Sequence, residues 1–186
     1  MKRKRISALV IGVLVAALFA LPTISLAGDD IAAHPSCPLC GMDRHQFAHS
    51  RVLVSFEDGS QFGACSLHCA ALELAYHPDK APVKIEVADL QGKQLLDAEK
   101  AVWVMGGNKP GVMTANAKWA FADEAGAKAF IAANGGKQAD FETAISATYA
   151  DMYQDTKMIR EKRKQMKQMK MEKGGQGNMA HGMKHE

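Results

Sequence analysis

Cysteine is missing from the first 36 residues and from everything after residue 69, so all four cysteines of the chain lie between Cys37 and Cys69. No disulfide can therefore staple the C-terminal part. Catalytic signatures are also missing. There is no Ser/His/Asp order, no phosphate-cradling glycine loop and no helical histidine pair with a catalytic glutamate. GGNKPGV is glycine-rich but has neither P-loop nor dinucleotide spacing. The chain is expected not to be an enzyme. A positive surplus is absent from its main body, where residues 28–153 carry 10 Lys/Arg against 16 Asp/Glu, a net of −6. A nucleic-acid binder would concentrate positive charge on its folded face, so no nucleic-acid partner is expected.

The first stretch is of a different kind. MKRKR opens the chain, Ile6 to Leu21 follow without a charge, and Pro22 breaks the run. Ser25-Leu26-Ala27 then gives a small-x-small pattern before Gly28. This is the layout of a secretory signal peptide, with cleavage expected after Ala27 and a periplasmic destination. An uncleaved anchor is the alternative, because the 16 uncharged residues approach the roughly 17–25 that span a bilayer. Membrane association would follow in that case. No cysteine stands at the junction, so a lipid-anchored mature end is not expected.

Beyond the signal, RVLVSF reads as a strand, Asp58-Gly59 as a hairpin turn and QFGAC as the returning strand. Ser66 is a helix N-cap candidate, and SLHCAALELAY keeps helical spacing until Pro78. VKIEVADL, AVWVMGG and KWAFA read as further strands. Asp123 then caps the helix EAGAKAFIAAN, which Gly135-Gly136 ends. Strand-strand-helix thus occurs twice, giving an α+β fold of two ββα-type, treble-clef-like halves. The expected organisation is signal 1–27, metal-binding domain 28–142, long helix 143–173 and a flexible Met/His-rich tail 174–186.

Sulfur chemistry concentrates in the first half. Cys37-x-x-Cys40 precedes the hairpin, and Cys65-x-x-x-Cys69 spans its return into a helix. The two pairs are expected to converge on one ion, with the helix N-terminus lowering the Cys65 and Cys69 pKa values. His68 offers a nitrogen ligand between them. Four such ligands would suit a structural zinc site, and an oxidising compartment would suit disulfides. Met42 favours soft monovalent copper instead, since a thioether is a poor zinc ligand and a good Cu(I) ligand.

Methionine is in surplus, with 11 in the chain and five in its last 21 residues. Met105 precedes GGNKPGVM and Met113 ends it. NMAHGMKHE sets Met179, His181, Met183 and His185 at every second residue. Thioether and imidazole there are either a copper-collecting tail or a low-complexity basic end. Residues 154–186 carry 9 Lys/Arg against 4 Asp/Glu, so the end is basic beside an acidic body.

CPLCGM, the hairpin into CSLHCAA, PGVM and KWAFADEAGAKAFIAANGG, in that order, resemble the NosL family of nitrous oxide reductase accessory proteins. The resemblance covers about Cys37 to Glu142. It implies a periplasmic Cu(I)-binding metallochaperone with two ββα halves, which hands copper to an apo-enzyme or its assembly proteins. Carried over by position, it makes Cys40 and Met42 the ligands of the CGM motif and Met113 the methionine of the second-half loop. Cys37, Cys65, His68 and Cys69 remain candidates from spacing alone. Members are commonly anchored through a cysteine at the signal cleavage site, which this chain lacks. The expected cargo is Cu(I), with zinc as the alternative ion. The competing functions are a zinc- or disulfide-stapled interaction domain and a thiol-disulfide oxidoreductase. The latter is disfavoured because Cys37-Pro38-Leu39-Cys40 does not open a helix.

Overall fold

The computed structural model describes residues 29–182, with side chains from 30 to 171. The expected signal segment lies outside the described residues. No described helix is long and apolar enough to cross a membrane.

A short helix, α1 (Asp29–Ala33), enters the body where the sequence reads only a polar lead-in. Strands β1 (Val52–Phe56) and β2 (Gln61–Ala64) form the expected hairpin, pairing Val52 with Ala64 and Ser55 with Gln61. Gly59 takes φ +78° in its turn, a left-handed conformation that glycine adopts without Cβ strain. Helix α2 (Leu67–Tyr76) follows and ends just before Pro78. Ser66 holds the N-cap backbone position, yet its side chain makes no capping hydrogen bond.

β3 (Pro82–Ala88) departs from the sequence reading. It joins the first sheet by pairing antiparallel with β1, Val52 opposite Val87, instead of opening the second unit. The missed strand β4 (Leu95–Asp97) completes a sheet of order β2-β1-β3-β4. β1 thereby becomes a central strand, its backbone N–H and C=O groups paired with β2 on one edge and β3 on the other. β5 (Val102–Met105), β6 (Lys118–Phe121) and the short β7 (Lys137–Ala139) build a second antiparallel sheet of order β6-β5-β7. Between β6 and β7 lies α3 (Glu124–Asn134), capped as expected by Asp123, whose carboxylate accepts the Gly126 N–H at 2.8 Å. A parallel bridge between Asp89 and Ala120 joins the two sheets.

The core between them holds Trp103, Trp119, Phe121 and Val54 together with Cys37, Cys65 and Cys69. Helix α4 (Phe141–Gly182) then packs its first turns on α2 and β5. It runs past Lys173, where the sequence reading ends the helix, through Gly174, Gly175 and Gly177. Each glycine costs a helix interior about 1 kcal/mol relative to alanine.

Candidate metal centre

Two local structures present the four sulfurs. The first is a tight knuckle at Ser36–Asp43. The Cys37 N–H donates to the Met42 carbonyl at 2.9 Å, and the Gly41 N–H donates to the Cys37 carbonyl at 2.8 Å. Gly41 turns the chain with φ +76°. The second is the junction of β2 and α2, with Cys65 just after the strand and Cys69 in the first helical turn. The Ser50 hydroxyl fixes this junction by donating to the Cys65 carbonyl at 2.8 Å.

These structures bring Cys37, Cys40, Cys65 and Cys69 together, their sulfurs all within 4.8 Å of one another. Cys40 Sγ lies 3.4 Å from Cys65 Sγ, and Cys65 Sγ 3.7 Å from Cys69 Sγ. All four are free thiols. Three are buried and Cys40 is half-buried, so the group has one accessible edge. Soft sulfurs at this separation fit a metal ion.

Protons are shared unevenly among the sulfurs. Hydrogen bonds from Cys40, then Cys65 and Cys69, hold the Cys37 sulfur far below the ordinary thiol range. At Cys40 the Cys37 sulfur pushes the pKa up, while Cys65 and Cys69 together outweigh it, and the thiol falls to about 7. Cys65 and Cys69 are pushed up, first by Cys37 and then by Cys40. The lowering expected from the helix N-terminus is thus reversed. Both deep thiols face sulfur already negative, and removing a second proton beside that charge is costly. A metal cation reverses this by supplying the missing positive charge.

The other candidate ligands are placed differently. His68 is not part of the four-sulfur group. Its Nδ1 lies 3.4 Å from Asp155 Oδ2 on α4, with both side chains buried. Burial holds the imidazole below its ordinary range, against the pull of Asp155. Met42 is partly buried against the core. Met113 is also packed there and takes φ +61°, a strained conformation for a side-chain-bearing residue. Its neighbours Val112 and Thr114 line, with His68, Trp119 and Thr148, a cavity of about 20 Å³ between the two halves and α4. Met179 and His181 fall on the last turns of α4, where side chains are not described. Met183 and His185 lie outside the described residues.

One group escapes sequence reading. The Asp30 carboxylate takes both Arg44 Nη2 at 2.7 Å and Arg51 Nε at 2.9 Å, with both arginines fully buried. Arg44 Nε also donates to the Ala64 carbonyl at 3.1 Å, one residue before Cys65. The cluster ties α1, the knuckle's exit and β2 together behind the sulfurs. Its sequence signal is nil, because isolated Asp and Arg residues ordinarily belong to the surface.

A family model described as NosL matches residues 29–150. The chain belongs to the NosL family. The matched region contains every described element except the outer part of α4, and it includes the whole sulfur group. Among solved structures, the crystal structure of the copper chaperone NosL from Shewanella denitrificans is similar at 21% identity and a TM-score of 0.47. That match covers 57% of this chain and 87% of that one. No curated protein matches the chain significantly.

Proposed function

We propose that this NosL family member is an exported Cu(I) metallochaperone. It delivers copper to a cuproenzyme such as nitrous oxide reductase or to that enzyme's assembly apparatus. The observation that carries this reading is the convergence of four free sulfurs with a single half-buried member. Cys40 is the sulfur from which an acceptor's ligand can begin exchange, and the buried three hold the ion meanwhile. Met42 follows Cys40 by two residues in the knuckle and supplies a thioether, which selects Cu(I) over harder ions. Met113 is the second-half methionine of the same reading. Met179, His181, Met183 and His185 would add weaker sites.

The function is carriage, not catalysis. Cargo enters as Cu(I), displaces protons from Cys65 and Cys69, and leaves by ligand exchange at the Cys40 edge. The four-sulfur set also favours a second reading, a closed tetrahedral zinc staple under a protein-interaction surface.

Metal content and free-thiol count of protein purified anaerobically separate the two. One Cu(I) per chain supports carriage, and one tightly held zinc with all four thiols blocked supports the staple. A Cys40→Ser, Met42→Leu double variant should bind Cu(I) far more weakly than the parent, and equal affinity would remove both residues from the site. Deleting residues 174–186 should lower copper stoichiometry without unfolding the body.

A further inference from the structure

Helix α4 continues beyond the body with a row of thioethers that the sulfur cluster does not explain. Asp155, buried against His68 of α2, marks the side of α4 that faces the body. Counting from it in steps of three and four gives Met158, Lys162, Met166 and Met169, which lie on the same face. Met158 is still half-buried, whereas Met166 and Met169 are 57% and 53% exposed. The face that packs on the body beside Cys69 thus runs outward carrying methionine where nothing described covers it.

Exposed methionine gains no burial, and a solvated helix face is served as well by Glu, Gln or Lys. Thioether does have one property those residues lack, affinity for soft monovalent ions. Met166 and Met169 sit three apart, with Cβ atoms roughly 5–6 Å from each other on adjacent turns. Three flexible torsions in each side chain allow both sulfurs to close on one ion. At 1.5 Å per residue, the pair lies about 16–21 Å along the helix from Asp155, the contact that reaches the residue beside Cys69.

We infer that Met166 and Met169 form a two-thioether Cu(I) site on the projecting part of α4, a loading station for the cysteine cluster. This rests on the reading of the chain as a copper carrier. Lysines flank the pair, including Lys162, Lys167 and Lys170, and their charge opposes a bound cation. The site is therefore weaker than thiolate, and an ion captured there moves downhill toward the cysteines. Neutral thioethers also stay competent in compartments that oxidise thiols.

The test uses the full chain with reduced cysteines and ¹³C-labelled methionine ε-methyls, titrated anaerobically with Cu(I). The first equivalent should leave the Met166 and Met169 methyl signals in place. Further equivalents should then shift both together. Met166→Leu conserves volume and helix propensity, and should abolish the Met169 response. Met171→Leu, off this face, should leave it intact. Static Met166 and Met169 signals after the cysteines are filled overturn the site, as does a Met169 response that survives Met166→Leu. A chain whose thiols take no Cu(I) while these methyls shift together would refute copper carriage by the cluster and uphold the thioether site.

Discussion

Cys40 Sγ lies 3.4 Å from Cys65 Sγ, joining the half-buried knuckle to the buried strand–helix junction across 25 residues of chain. This contact turns two separate motifs into one site. It also sets their division of labour, since an accessible sulfur near neutrality meets a deeper one that keeps its proton until a metal arrives.

Thiol reactivity should report that division. Thiolate is the nucleophile, Cys40 titrates at about 7, and it is the one cysteine with access to solvent. In metal-free reduced protein, iodoacetamide should modify Cys40 first, at a rate that rises as pH passes upward through about 7 and then levels. Cys37, though its pKa is also lowered, is buried and should lag. Mass spectrometry of timed digests checks the order. Faster labelling of Cys65 or Cys69 would contradict the assignment, and a bound metal should suppress labelling at Cys40.

The buried Asp30–Arg44–Arg51 cluster should be a principal support of the knuckle. Asp30→Asn leaves two buried guanidinium groups without their countercharge, and breaking such a pair costs about 3–5 kcal/mol. Burial raises the Asp30 pKa, but hydrogen bonds and charge from Arg51 and Arg44 outweigh it, so the net pKa falls below the usual 3.8. A depressed carboxylate stabilises the fold fully above its unfolded value, and that contribution fades as pH falls through the folded value. Urea unfolding should therefore show a large gap between parent and variant at pH 7. The gap should shrink progressively once the pH is taken below about 4.

Gly41 offers a test of the knuckle with little packing consequence. Its φ is +76°, and a Cβ added there would meet nothing within 4 Å. Gly41→Ala should thus cost only the backbone term, about 1–2 kcal/mol. The loss should appear in metal affinity, since the left-handed turn carries Met42 back over Cys37. An unchanged affinity with unchanged stability would show that the knuckle relaxes freely.

Local chemistry explains how much was legible. Asp58-Gly59, Asp123 and Gly135-Gly136 announce their turn and caps because each acts within a few residues. The CPLCGM and CSLHC motifs likewise mark which side chains meet, since sulfur spacing is a local pattern. Sheet membership was hidden: nothing in VKIEVA says that its partner is β1 rather than β5, because both neighbours are equally apolar. The reversed thiol order was hidden for a related reason. A helix N-terminus favours thiolate in isolation, but the decisive charge at Cys37 arrives from 28 residues away. His68 reads as a ligand by position, and only the packing of α4 reveals its turn toward Asp155.

Asp155 carries the last prediction, because it pins α4 to both halves. It is 1% exposed, accepts the Ala115 N–H at 2.9 Å through Oδ1, and faces His68 through Oδ2. One turn earlier, Asp151 holds Lys118 at 2.6 Å and Asn116 at 2.9 Å, so the loop after Met113 hangs from the same stretch of helix. Asp155→Ala leaves the Ala115 amide without its acceptor, at a cost of about 1–3 kcal/mol, and removes the carboxylate that faces His68. Asp155→Asn keeps the acceptor for Ala115 while removing the charge opposite His68. Amide hydrogen exchange separates the two effects. Protection of Ala115 should collapse in the alanine variant and persist in the asparagine variant, while chemical denaturation should rank the parent above Asn and Asn above Ala. Equal protection in all three proteins would mean that the Asp155 carboxylate does not hold the Ala115 loop, leaving Asp151 and the apolar face to hold the helix.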